Sequence, residues 1–248
     1  PKTLPMVVLV HGGPHARDEL RWDSWTQFLA SRGYVVLQTN YRGSSGYGWK
    51  FMEMGFGEWG LAMQDDTHAA TRTMIDKGIA DPGRIAIMGG SYGGYAAYMG
   101  LIRAPELFRC AASYGGVADL DLHLDLDQRG GDYLRSVNEV SIGRESADRV
   151  KLARTSPAKQ ASRIKAPVLV AHSKDDQRVK IDQSEAMIAA LEKAGVPHTP
   201  VVLDHGMHYL NVERYRIRFF EELEKFLADC TAPLPAEDGA QAAAPAGD

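Results

Sequence analysis

The sequence predicts an α/β protein built on a mostly parallel, doubly wound sheet. Three observations carry that prediction. Apolar runs too short for helices recur along the 248 residues, they alternate with segments of helical spacing, and most are continuous rather than alternating. Continuous runs are how strands buried on both faces of a parallel sheet read, and strand–helix alternation supplies the crossovers such a sheet needs. A chain with 44% hydrophobic and 24% charged residues also has the apolar material for a sizeable core.

Taken in order, the expected strands are 6–10, 34–38, 84–88, 109–113, 167–171 and 200–203. The first expected helix, 22–31, stops at Gly33, and the second, 61–77, stops at Gly78, each a helix C-terminal signal. A third covers Tyr92–Arg103 and ends ahead of Pro105; 183–194 ends at Gly195, and 211–228 is a long amphipathic helix. The stretch from Asp119 to about Thr155 breaks this rhythm. It opens with a strict Asp/Leu/His alternation over 119–127 and is read as a half-exposed strand or irregular edge. An excursion of that length covers a site or is a solvated insertion.

A formal net charge of −4 with scattered Lys and Arg argues against nucleic acid or an anionic membrane as partner. No apolar run has the length of a bilayer span. Cys110 and Cys230 make no disulfide framework; Cys110 is read as a buried free thiol and Cys230 as incidental. The chain opens one short linker before a strand, as a segment of something longer would. From about Thr231 to Asp248 it is Ala, Pro, Gly and acid without periodicity, read as a disordered tail after a domain of 1–230.

The sharpest chemical signal is Gly89-Gly90-Ser91-Tyr92-Gly93-Gly94-Tyr95, placed after one expected strand and before an expected helix. That is the setting of a nucleophile elbow, in which a serine sits on a strained strand-to-helix turn of an α/β-hydrolase fold. Flanking glycines are required because side chains there would collide with neighbouring backbone. His11-Gly12-Gly13-Pro14-His15 follows the first strand, where this fold draws one oxyanion amide; the residue after the nucleophile supplies the other. Gly13 and Tyr92 are therefore the candidate donors. A serine also needs a base and a carboxylate to orient it, in the chain order Ser, acid, His. Strand 167–171 runs into Asp175 and Asp176, and strand 200–203 into His205 and His208. Among the other histidines, His15 reads as a solvated loop residue that could help shape the oxyanion loop. His68 reads as a packing or surface residue, and His172 precedes the acid. No metal-ligand or nucleotide-phosphate pattern is present, so neither metal nor cofactor is expected.

With these residues in view, the chain resembles the catalytic domain of the prolyl oligopeptidase family of serine peptidases, nearest its acylaminoacyl-peptidase and dipeptidyl-peptidase-like branches. The resemblance spans about Leu4 to Leu227 and rests on His11-Gly12-Gly13-Pro14, Asn40-Tyr41-Arg42-Gly43-Ser44-Ser45-Gly46-Tyr47-Gly48, the Ser91 elbow, and Ser156-Pro157 ahead of Ile164-Lys165-Ala166-Pro167. It implies Asp176 as the acid, in register with His172 and Val179, with Ser173 standing where the family usually has Gly. Family members place Gly beside the base, as Gly206 is beside His205, yet the phase of the following helix favours His208. The resemblance further implies a hydrolysed short-peptide substrate and an apolar pocket including Tyr114, Val117 and Val179. An N-terminal β-propeller and the first strands of the sheet would lie ahead of Pro1, and an oligomer is compatible with the pattern. The alternatives are an esterase of the same fold and a non-catalytic binding module.

Overall fold

The computed structural model describes residues 3–127, 132–144 and 147–233. Six strands form one sheet: β1 (Leu4–Val10), β2 (Val35–Gln38), β3 (Ala80–Gly90), β4 (Cys110–Tyr114), β5 (Val168–Ser173) and β6 (His198–Leu203), in the order β2-β1-β3-β4-β5-β6. Every neighbouring pair is parallel. This is the α/β-hydrolase fold. The chain runs outward from β1 to β2 and then crosses back to β3, so the winding reverses between β1 and β3. In open parallel sheets the crevice at such a reversal, beyond the carboxyl ends of the strands, is where ligands bind.

Helices cover both faces. α1 (Ser24–Ser31) and α9 (Glu213–Cys230) lie on one, and α3 (Ala62–Asp76), α4 (Tyr92–Arg103) and α8 (Asp182–Ala194) on the other; α2 (Trp49–Glu53) is a short connector. Strand alternation sorts the core accordingly. Met6, Val8 and Val10 join the α4 face, while Val7 and Leu9 join the α9 face. All five are almost wholly buried, each worth roughly 1.5–3 kcal/mol of transfer free energy. α9 offers Phe219, Leu223 and Leu227 at a spacing of four, the stripe that seats it on the sheet.

Three expectations need correction. Residues 119–127 are not a strand: Leu120–Asp127 is a helix, α5. Asp119 Oδ1 accepts the N–H groups of Asp121 and Leu122, the job of a helix N-cap, and Leu120 and Leu124, four apart, turn inward. The excursion continues as α6 (Asp132–Ser141), α7 (Arg149–Thr155) and a 3₁₀ turn at Pro157–Arg163. Cys110 is not a free thiol but is disulfide-bonded to Cys230, because β4 and the end of α9 bring their Cα atoms to 6.1 Å across 120 residues of chain. Thr231 is not yet tail: it is buried, accepts Arg84 Nε–H through its carbonyl, and pairs its hydroxyl with Tyr34. The rest of the expected tail, 234–248, lies outside the described residues.

His68 is expected to make stability depend on pH. It sits on α3, buried against Phe108, with its Nε2 3.2 Å from the Gln64 amide. Burial, then the nearby Arg103 charge, pulls its pKa from 6.5 to about 4. Between those values the unfolded chain holds a proton that the folded chain refuses. The contribution of His68 to stability is therefore expected to be full above about pH 6.5 and to decline as pH falls towards 4, by up to about 3 kcal/mol. Urea midpoints of wild type and His68→Gln, measured at pH 7 and 4.5, should show a flatter pH dependence for the variant. Equal slopes would remove His68 from the account.

Candidate active site

The turn between β3 and α4 puts Ser91 at φ 57°, ψ −123°, a conformation that side chains rarely adopt. Its N–H donates to Tyr114 O at 2.9 Å, and its carbonyl accepts from Gly94 and Tyr95 as the first turn of α4. Crowding explains the glycines around it. A Cβ on Gly93 would lie well inside contact distance of Val10 O, and one on Gly89 would meet Val10 O and, at 2.6 Å, the Gly93 carbonyl carbon. Gly12 approaches from the other side, where a Cβ would be 3.1 Å from Gly90 O and 3.3 Å from Ser91 Cβ. The loop after β1 is thus pressed against the elbow at the β1/β3 reversal.

That loop is held by the Asn40–Ser44 motif. Tyr41 Oη donates to His11 O at 2.8 Å and stacks on the His11 ring, and His11 Nε2 lies 3.0 Å from Ser44 Oγ. Arg42 pairs bidentately with Asp66, and Ser45 N–H donates to Ala16 O. His15 is no solvated loop residue: its Nδ1 is 2.8 Å from Gly43 O and its Nε2 3.2 Å from Ser141 Oγ. Gly13, at φ 124°, sits between these two anchored histidines, and Tyr92 is the first residue of α4.

The acid and the histidine meet at the ends of β5 and β6. Asp176 is 1% exposed; Oδ1 accepts the N–H groups of Arg178 and Val179, and Oδ2 lies 2.7 Å from His208 Nδ1. Burial alone would raise its pKa, but the hydrogen bonds from His172, His208 and the Val179 amide overcome it and hold the carboxyl well below the usual range. His172 locks the same loop: its Nε2 donates to Val179 O at 2.8 Å with Asp176 Oδ2 at 3.5 Å, and its Nδ1 is 2.6 Å from Ser184 Oγ. Ser173, the departure from Gly noted above, staples the two loops. Its hydroxyl accepts the N–H groups of Gly206 and Met207 and donates to Asp175.

His205 stands apart from this arrangement. Its side chain is 66% exposed against 10% for His208, and its nearest acid is the half-exposed Asp175, 3.6 Å away. Gly115 marks where the loops converge, since a Cβ there would lie 3.1 Å from Asp176 Oδ2 and 3.8 Å from His208 Nδ1. The residue before it, Tyr114, is the one whose carbonyl holds Ser91. Tyr114 lies on the other face of the sheet from Val117 and Val179, the residues expected to share a pocket with it. Its ring faces Trp25 and Phe219 on the α9 side, because it shares the phase of Ala112 on β4, and its hydroxyl donates to Met207 O. It props the His208 loop instead. Val117 and Val179 are buried in the α4-side cluster. A cavity of about 340 Å³ bordered by Leu101, Phe108 and Pro167 lies at the opposite, amino-terminal ends of β4 and β5. Among the described residues no group of three or more His, Cys, Asp or Glu could hold a metal ion, and no helix is long and apolar enough to cross a membrane.

Residues 21–233 match the model of the prolyl oligopeptidase family. The chain belongs to that family. It is 36% identical over 230 residues to dipeptidyl aminopeptidase BIII of Pseudoxanthomonas mexicana, covering 92% of this chain and 33% of the relative. It is 30% identical to the acylamino-acid-releasing enzyme of Arabidopsis thaliana, over 84% of this chain and 28% of that one. Among solved structures, a Mycobacterium tuberculosis puromycin-hydrolyzing peptidase superposes with TM-score 0.88 at 30% identity, over 95% of this chain and 35% of the other. The Pyrococcus horikoshii acylaminoacyl peptidase gives 0.86 at 26%, over 97% and 39%. The chain therefore spans about a third of the length of the relatives it matches.

Proposed function

We propose that this chain is the catalytic part of a serine peptidase that hydrolyses short peptides through an acyl-enzyme. The observation that carries the reading is the 2.7 Å contact between His208 Nδ1 and a fully buried Asp176 carboxylate, converging on Gly115, the residue after the one whose carbonyl holds the elbow Ser91. Asp176, held ionised, fixes His208 with its proton on Nδ1 and leaves Nε2 free to take the proton of Ser91. Ser91 Oγ attacks the substrate carbonyl, and the N–H groups of Gly13 and Tyr92 receive the negative oxygen, helped by the amino-terminal end of α4. His208 then protonates the leaving amine, and water repeats the cycle on the acyl-enzyme. Val117 and Val179 are assigned to the floor of the pocket for the residue before the cleaved bond. The relatives are named as a dipeptidyl aminopeptidase, an acylamino-acid-releasing enzyme and a puromycin-hydrolyzing peptidase, names that fit a peptidase acting on short substrates. Their length beyond the shared third fits an additional N-terminal domain that limits substrates to short peptides.

The test is labelling of the full-length protein with a fluorophosphonate probe. Attachment is expected at Ser91 alone, with parallel loss of hydrolysis of peptidyl anilides, and Ser91→Ala should neither label nor turn over. Turnover by Ser91→Ala at wild-type rates would end the proposal.

A further inference from the structure

Ser141 lies at the end of α6, in the excursion, 50 residues beyond the elbow in sequence, yet it is 4% exposed. Its hydroxyl occupies the space between the two proposed oxyanion arms. On one side Ser141 Oγ is 3.2 Å from His15 Nε2; on the other it accepts Trp59 Nε1–H at 3.1 Å. The donors fall into a single consistent chain. Gly43 O can only accept, so His15 Nδ1 carries a proton, and in the tautomer protonated there alone Nε2 is an acceptor. Ser141 then donates to His15 and is left to accept from Trp59, which can only donate. The backbone repeats the tie, with Gly57 N–H donating to Ser141 O at 2.9 Å.

Each contact leads towards a proposed oxyanion donor. His15 is two residues from Gly13, and its ring packs edge-on against Phe56. The Trp59 ring stands perpendicular to that of Tyr92 at 4.6 Å and packs on Tyr95 at 5.1 Å. We propose that Ser141 is a positioning residue for the oxyanion donors, setting Gly13 through His15 and Tyr92 through Trp59. The end of α6 thereby supports the proposed oxyanion donors. This rests on the assignment of Gly13 and Tyr92 made above. Preorganised donors act on the transition state and not on the bound substrate, so loosening them lowers kcat and leaves KM in place.

The experiment uses the full-length enzyme with Ser141→Ala, Ser141→Thr and Trp59→Phe, a peptidyl anilide substrate and the matching peptide aldehyde, whose adduct with a serine carries the negative oxygen. Ser141→Ala is expected to lower kcat by about tenfold with KM within about twofold, and to weaken the aldehyde by the factor lost from kcat/KM. Ser141→Thr, which keeps the hydroxyl, should recover most of the rate. If Ser141→Ala does not fold, Trp59→Phe keeps an aromatic ring at the position but removes the N–H together with the second ring of the indole; a loss of kcat at constant KM is expected there too. The proposal is overturned by a kcat within twofold of wild type in the variant that folds. A loss confined to KM, no recovery by Thr, or an unchanged aldehyde affinity beside a fallen kcat overturns it equally. Ser91→Ala distinguishes the two levels: if that variant still hydrolyses the anilide, the site reading fails, whereas an inert Ser91→Ala with an unaffected Ser141→Ala refutes only this inference.

Discussion

His208→Ala is expected to lower kcat by about 10⁴-fold or more, while His205→Ala keeps substantial activity. The two imidazoles are three residues apart on one loop, and a base must reach Ser91 with one nitrogen while the other holds the carboxylate. His208 already meets the second requirement, against an acid whose remaining oxygen is satisfied by two backbone amides. His205 is mostly in water, with the half-exposed Asp175 as its acid and the Tyr215 ring edge-on beside it. Removing it costs a surface contact, an effect of less than about 1 kcal/mol on stability. Steady-state hydrolysis of a peptidyl anilide by both variants, with thermal midpoints alongside, decides the matter. An inactive His205→Ala beside an active His208→Ala would move the base to the other residue.

The part of this site that the sequence makes legible is the part carried by local pattern. Strand, turn and helix follow one another within a few residues around Ser91, so the elbow can be read from apolar run, glycines and helical spacing alone. The proposed acid and base follow the carboxyl ends of β5 and β6, where a parallel sheet delivers its catalytic groups. Choosing between adjacent acids or between nearby histidines required the resemblance or the contacts, because residues on one loop differ in direction rather than in sequence setting. Leu120–Asp127 misled for a different reason. A Leu at every second position satisfies a strand period, but it also repeats at i and i+4, and the capping Asp119 was the signal that favoured helix. The contacts of Ser141, Trp59 and Tyr114 and the Cys110–Cys230 bond join residues far apart in the chain. No local pattern announces them.

The elbow glycines differ sharply in how much room they have, and that sets a paired expectation. A methyl group on Gly93 would collide with Val10 O and come within 2.9 Å of Val10 C, both rigid backbone atoms at the end of β1. Neither partner is a flexible side chain, so α4 and β1 must move apart. The cost is that of severe overpacking, about 3 kcal/mol or more. The displacement falls on the proposed oxyanion donors, since Val10 leads into Gly12-Gly13 and Tyr92 precedes Gly93. Gly93→Ala should therefore lose about 100-fold or more in kcat/KM even where it remains folded. Gly90, inside the same motif, has its nearest atoms at 3.6 Å on Tyr114 O and 3.8 Å on Trp25, ordinary contact distances, and its φ is not in the left-handed region. Gly90→Ala should fold and turn over within a few-fold of wild type. Thermal midpoints and kcat/KM of the two variants test the pair together. If Gly93→Ala matched wild type, or Gly90→Ala were as damaged as Gly93→Ala, crowding by β1 would not be what selects glycine at this turn.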